Sequence, residues 1–156
     1  MDIRGKVAII TGSAVGLGAA VAVKLAERGV NVVINYSKSE TEARETAGQC
    51  AALGVETLLV KANIGEDADC RRLAGETLDK WGRIDILVNN AGTSVFADHR
   101  DLEALSADDF HYIYGLNVIG PYQMTRAVAP AMKAAGKGAI VNVSSIAAVV
   151  GIGSSI

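Results

Sequence analysis

Three glycines carry the first chemical signal in this chain. Gly12, Gly16 and Gly18 stand within Thr11 to Gly18, in the pattern G-x-x-x-G-x-G. A short apolar run, Val7 to Ile10, precedes them, and an alanine-rich apolar stretch, Ala19 to Ala26, follows. A strand, a glycine-rich turn and a helix in that order make a phosphate cradle. Glycine lets the backbone approach a pyrophosphate, and the helix N-terminus offers unpaired N–H groups with partial positive charge. Ser13, Val15 and Leu17 complete the turn. The spacing differs from the commoner G-x-G-x-x-G of dinucleotide sites. Taken alone, it also fits a plain turn into a helix.

The other reactive side chains form no such pattern. Cys50 and Cys70 fall in predicted helices without metal-ligand spacing and read as reduced thiols. His99 and His111 are separated by a loop and a helix start, and no acid or cysteine completes a site with them. They read as ordinary surface or substrate-loop histidines, and no metal is expected. The 156 residues are half hydrophobic with a net charge of −2, which suits one soluble globular domain. Nothing in that balance calls for nucleic acid, and 4% aromatic residues are too few for base-stacking platforms. No apolar run reaches membrane-spanning length, and the stretch from Met1 to Val7 is too polar for a signal peptide. A cytoplasmic location follows as the expectation.

The glycine turn needs a scaffold, and the rest of the chain supplies one. Apolar runs at Val7–Ile10, Val32–Asn35, Thr57–Lys61, Ile84–Val88 and Ala139–Val143 read as strands. Between them lie helical patterns from Gly16 to Arg28, Ser39 to Leu53 and Asp67 to Lys80. A long helix runs from Ser106 to about Ala135. Gly29 and Gly54 stop the first two helices, and Trp81-Gly82 marks the exit of the third. Ser39 or Thr41 caps the second, and Ser106 with Asp109 forms a capping box for the long one. Pro121 inside that helix should bend it or remove a backbone bond. Strand–helix alternation with continuously apolar strands predicts an α/β fold. The expectation is a doubly wound, Rossmann-type parallel sheet in the order 3-2-1-4-5, as a single domain.

Two further segments fall where such a sheet binds ligands, at the carboxyl ends of strands. Asn89-Asn-Ala-Gly92 ends the fourth strand, and Ile140-Val-Asn-Val-Ser-Ser145 ends the fifth. Together with Thr11 to Gly18, they make the chain resemble the short-chain dehydrogenase/reductase family from Lys6 to Ile156. The likeness is greatest to its 3-oxoacyl-[acyl-carrier-protein] reductase branch, with small-molecule alcohol or sugar dehydrogenases as neighbours. The resemblance implies an oxidoreductase that moves hydride between a nicotinamide dinucleotide and a carbonyl or secondary alcohol. The substrate would be a small molecule or an acyl thioester. It also implies a homotetramer assembled through the long helix and a later one.

The resemblance assigns roles to individual residues. Gly12, Gly16 and Gly18 hold the pyrophosphate, and a side chain at Gly12 or Gly18 should clash with it. Asn90, Ala91 and Gly92 line the ribose side of the nicotinamide. Asn117 holds a water of the proton relay, at a helix distortion where Pro121 leaves the Asn117 carbonyl without its N–H partner. Ser145 polarises the substrate carbonyl, and Ser144 takes the neighbouring structural position. Asn63 and Ile64 touch the adenine. An acid is usual at position 63, and an amide can still accept from the adenine amino group. Asn63 also suits a turn after a strand. No acid ends the second strand, where one would bind the adenosine ribose and repel a 2′-phosphate. Lys38 could neutralise that phosphate and Ser37 donate to it, which favours NADP(H) over NAD(H). The position before the second glycine, often basic in NADP-dependent relatives, is Val15. Lys38 also suits a solvated loop.

The family's catalytic Tyr-x-x-x-Lys has no counterpart. It belongs about thirteen residues beyond Ser145, past Ile156, and none of Tyr36, Tyr112, Tyr114 and Tyr122 follows the fifth strand. Family members reach roughly 250 residues. The expectation is a longer natural protein whose residues 1–156, taken alone, are inactive and leave the fifth strand with an apolar edge. The rival expectation is a nucleotide-binding module without chemistry.

Overall fold

The computed structural model describes residues 2–98 and 100–150. His99 lies outside the described residues. The order is β1 (Val7–Ile10), α1 (Gly16–Glu27), β2 (Asn31–Tyr36), α2 (Glu40–Ala52), β3 (Thr57–Lys61), α3 (Asp67–Trp81) and β4 (Ile86–Asn89). Then come α4 (Ala107–Tyr114), a π-helical turn (Gly115–Ile119), α5 (Gly120–Ala134), β5 (Ala139–Asn142) and a 3₁₀ turn (Ile146–Ala148). The five strands form one parallel sheet in the order β3-β2-β1-β4-β5.

The continuous apolar runs are explained by cover on both faces. Alternate residues of each inner strand enter two different cores. Ile9, Val33, Val60 and Leu87 pack with Leu73 of α3 and with Met124 and Val128 of α5. Ala8, Ile10, Val32, Ile34 and Val88 pack with Ala22 and Ala26 of α1 and with Ala43 and Cys50 of α2. Burial pushes the Cys50 thiol up to about 11. Burial, with Asp67 and Asp69 adding to it, pushes Cys70 up to about 12. Both thiols are therefore poor nucleophiles, as the reading of reduced, structural cysteines requires. Among the described residues no metal-ligand cluster occurs, and no helix is long and apolar enough to cross a membrane.

Local details depart from expectation in three places. Ser39 stands at the N-cap of α2, but its side chain makes no capping bond, and Glu40 and Glu42 occupy the first turn instead. Those acids complement the helix end electrostatically. β4 begins at Ile86, although Asp85 before it already donates its N–H to the Val7 carbonyl at 3.0 Å and accepts the Ala139 N–H at 2.9 Å, while its side chain turns to the Val7 N–H. The long helix is not continuous. Ser106 and Asp109 form their capping box, but α-helical bonding lapses over Gly115–Ile119 into a π turn. There the Gly120 N–H bonds to the Gly115 carbonyl. Pro121 has no N–H to offer the i−4 carbonyl, so the extra residue is accommodated at the turn before it.

Asp85 ties the starts of β1 and β4 together. Its carboxylate accepts the Val7 N–H at 3.0 Å and two Arg83 bonds at 2.7 and 2.6 Å, with Lys6 Nζ 3.7 Å away. Burial would raise its pKa, but Arg83, the Val7 N–H and Lys6 outweigh that and hold it below the ordinary carboxylate value. Asp85→Ala leaves the Val7 N–H unpaired and should cost about 1–3 kcal/mol in urea unfolding at neutral pH. A depressed folded pKa gives stability that is complete above the unfolded value of about 4 and lost as pH falls through the folded one. The difference between wild type and variant should therefore shrink in acid. A constant difference across that range would show that the charge is not what matters.

Candidate active site

The site grows from the peptide that leaves β1. Ser13 is fully buried; its hydroxyl donates to the Ile10 carbonyl at 2.7 Å and accepts the Asn35 N–H at 3.0 Å. The Ser13 N–H donates to the Asn35 carbonyl at 2.9 Å. The Gly12 N–H donates to Asn35 Oδ1 at 3.0 Å. From the other side, Asn90 Nδ2 donates to the carbonyls of Thr11 at 2.9 Å and Gly12 at 3.2 Å. The buried Thr11 hydroxyl accepts the N–H groups of Asn90 and Ala91, both at 3.0 Å. Two asparagines, one from β2 and one from the end of β4, thus grip the turn between them.

This grip gives structural work to Ser13, Asn90, Gly12 and Gly18. Ser13 supports the turn from inside and has no polar group left for a ligand. Asn90 stands in the wall of a cleft, with its amide nitrogen donating to the turn. The intolerance of Gly12 and Gly18 to a side chain has a cause within the protein itself. At Gly12, with φ +62°, a Cβ would lie 2.9 Å from Ala91 Cα. At Gly18 it would overlap the Gly12 carbonyl oxygen and come within 2.5 Å of Asn90 Nδ2.

Beyond the turn, the N-terminus of α1 is uncapped and free of acids. Its N-cap, Val15, has no capping side chain, and its first turn carries no acid. By contrast, α2, α3 and α4 each place two acids there. The first α1 bond runs from the Ala19 N–H to the Val15 carbonyl at 3.3 Å, so the N–H groups of Gly16, Leu17 and Gly18 precede the intrahelical ladder. Val15 and Leu17 are exposed around this end.

Two clefts meet at Asn90, Ala91 and Gly92, which line both. The first, about 260 Å³, runs from Gly12 and Val15 past Tyr36, Ser37 and Lys38 to Asn63 and Leu116. Ser37 and Lys38 are exposed at its edge, while Glu40, just beyond, is paired with Arg44 at 2.6 Å. Asn63 Oδ1 accepts the Gly65 N–H at 3.1 Å in a turn, as its local sequence suggested, while the residue still lines the cleft. Ile64 is 2% exposed and packs against Gly120, so it offers a ligand little surface.

The second cleft, about 900 Å³, is lined by Asn117, Ser144 and Ser145 together with Asn89, Asn142 and Tyr122. Ser145 Oγ accepts the Ala147 N–H at 3.2 Å, which leaves its O–H able to donate. The Asn117 amide is engaged, accepting the Thr93 N–H and donating to the Thr93 carbonyl, both at 2.8 Å. It therefore fastens the loop after β4. Asn89 Nδ2 donates to Asn142 Oδ1 at 2.8 Å, clamping β4 to β5 just before the serines. Sequence reasoning passed over Thr11, Asn35, Asn89 and Asn142, all polar residues at strand ends. Their only sequence signal is an amide or hydroxyl standing where a buried strand would otherwise be apolar.

Comparison with known proteins gives a consistent picture. The family model for short chain dehydrogenases matches residues 6–156. A protein named as a ketoacyl reductase of the granaticin polyketide synthase of Streptomyces violaceoruber is 45% identical over 150 residues, which cover 96% of this chain and 59% of that protein. A metagenomic short-chain oxidoreductase solved with NADP matches at 33% identity and a TM-score of 0.86, covering 94% of this chain and 65% of that one. A xylitol dehydrogenase solved with NAD+ matches at 29% identity and a TM-score of 0.87, covering 97% and 57%. The chain spans about three-fifths of the length of the curated relatives it matches.

The internal origin of the glycine constraint is testable without any ligand. Gly18→Ala should lower stability by about 1–3 kcal/mol or more through overpacking. At Gly16, which has φ +60° and open space around it, alanine should cost only the roughly 1–2 kcal/mol of a left-handed backbone. Thermal unfolding of the ligand-free variants reads both. An unchanged midpoint for Gly18→Ala would return the constraint to the ligand.

Proposed function

Because this chain belongs to the short-chain dehydrogenase family, we propose that it forms the coenzyme-binding part of an NADP(H)-dependent oxidoreductase that interconverts a carbonyl and a secondary alcohol. One observation carries the reading. A continuous trough leads from the uncapped α1 N-terminus and Lys38 to the Ser145 hydroxyl, with a ridge of small residues, Ala91 and Gly92, between its two halves. A dinucleotide fits such a trough, because it presents phosphates to the helix end and flat rings to the small residues. The name of the ketoacyl reductase relative favours a 3-oxoacyl thioester as substrate.

When bound, the nicotinamide supplies the hydride that the reaction needs. The chain's own residues do the rest of what is assigned to them. The N–H groups of Gly16, Leu17 and Gly18 face the pyrophosphate. Lys38 and Ser37 take the 2′-phosphate, and Asn63 accepts from the adenine. Ser145 donates its O–H to the substrate oxygen and stabilises charge developing there. With the Asn117 amide engaged, its backbone carbonyl is the group left to hold a relay water. The proton donor of the family, a tyrosine after β5, has no counterpart in the 156 residues. We therefore expect residues 1–156 alone to bind coenzyme without turnover, which is also what a module without chemistry would do. The exposed aromatic residues Phe110, Tyr114 and Tyr122, on α4 and α5, suit a homotetramer interface in a cytoplasmic protein.

Lys38→Ala should weaken NADPH about 10-fold or more, since a charged contact is lost, and change NADH only slightly. Fluorescence titration with both coenzymes reads this. Equal effects would return Lys38 to solvent, tighter NADH would reassign the coenzyme, and no saturable binding would remove the reading altogether. In the full-length protein, Ser145→Ala should lower kcat by about 10²–10³-fold with little effect on coenzyme affinity. A fall in affinity with kcat retained would count against the role given to Ser145.

A further inference from the structure

Asn35 stands where three walls of the first cleft meet, and it is 2% exposed. Oδ1 accepts the Gly12 N–H at 3.0 Å. Nδ2 donates to the Ala62 carbonyl at 3.0 Å and to the Val60 carbonyl at 3.4 Å. Its backbone exchanges both of its bonds with Ser13. One carboxamide thus joins the phosphate turn to the exit of β3, from the strand that leads into Ser37 and Lys38. The geometry demands an acceptor on one side and donors on the other. A carboxylate only accepts, and a leucine does neither. Both polar side-chain atoms are already occupied, so Asn35 acts through the groups it holds and not by touching a ligand.

We propose that Asn35 is a positioning residue for the coenzyme, locking the phosphate turn and the adenosine end of the cleft into one rigid unit through its amide. This rests on the coenzyme-binding reading above. It has a signature that simple loss of packing lacks. In Asn35→Asp one carboxylate oxygen keeps the Gly12 bond, while the other faces the carbonyls of Ala62 and Val60. Burial and those carbonyls both disfavour the anion, which raises the acid's pKa. The protonated acid can donate to Ala62 and restore the amide pattern.

The ionisable groups around this point are few. The turn contributes none, β2 contributes Tyr36, and β3 contributes Lys61. Asp69 of α3 accepts the Asn63 N–H just beyond Ala62 at 2.7 Å, and Lys38 lies further along the cleft. Burial and Glu40 raise the Tyr36 phenol. Arg72 and the Asn63 N–H hold Asp69 below its ordinary value. Neither of these two changes charge between about pH 5.5 and 8.

The experiment is calorimetric titration of NADP+ into wild type, Asn35→Asp and Asn35→Leu at about pH 5.5 and pH 8. Each variant is compared with wild type at the same pH, so that titration of the 2′-phosphate cancels. Asn35→Asp should bind about 10–100-fold more weakly than wild type in the alkaline sample and within about threefold in the acid one. Asn35→Leu should be weak in both. A ratio of Asn35→Asp to wild type that does not move with pH overturns the proposal. Absence of saturable binding by wild type overturns the coenzyme reading and this role with it. If Asn35→Asp does not fold, amide exchange in labelled wild type decides. A Gly12 N–H protected like that of Ser13 supports the lock, and one exchanging as fast as that of Gly16 overturns it.

Discussion

The structure depends on one close passage of backbone. Where the chain leaves β1 it must turn inward past Ala91, with less than a methyl group's room to spare at Gly12. The peptide groups at buried Thr11 and Ser13 are shut away from water. Each must find a partner or cost the molecule dearly. Asn35 and Asn90 supply those partners from the two strands flanking β1 in the sheet, and Thr11 and Ser13 turn their hydroxyls inward to complete the set. The shape of the turn is thus decided by hydrogen bonds made within the protein.

The same economy recurs at the other strand ends. Asn89 and Asn142 clamp β4 to β5, and Asn117 fastens the loop after β4 through both backbone groups of Thr93. The Asn117 carboxamide donates and accepts at once, and in the clamp Asn89 donates while Asn142 accepts, all without the cost of burying a charge. The outcome is a cleft whose walls are set by neutral groups. Its few charged ones, such as Lys38, stand at the rim, where their cost of desolvation is small.

The architecture was legible because its cause is local. A run such as Val7 to Ile10 has no polar face, so it must be covered on both sides, and the strand order follows from connecting covered parallel strands. The turn from strand into helix at the three glycines was legible because spacing and sequence context coincide. The work of Ser13, Asn35 and Asn90 was not, because it depends on which strands become neighbours and a polar side chain does not announce its partner. Asn63 shows the limit from the other side. Its local turn was visible in the sequence, whereas any contact with a ligand depends on how the cleft is assembled. The π turn at Gly115–Ile119 was half visible: Pro121 signalled a lost bond, but the sequence did not say on which side the helix would absorb it.

The placement of β1 has a further consequence, for the order of assembly. It is made first yet lies in the middle of the sheet, and one of its two neighbours, β4, lies far along the chain. Until β4 is available, the partial sheet β3-β2-β1 keeps an unpaired inner edge, and closing the intervening loop has its own entropic cost. Asn35 can engage the turn at that stage, but Asn90 and Ala91 cannot. The turn after β1 therefore has its full set of partners only once β4 is in place.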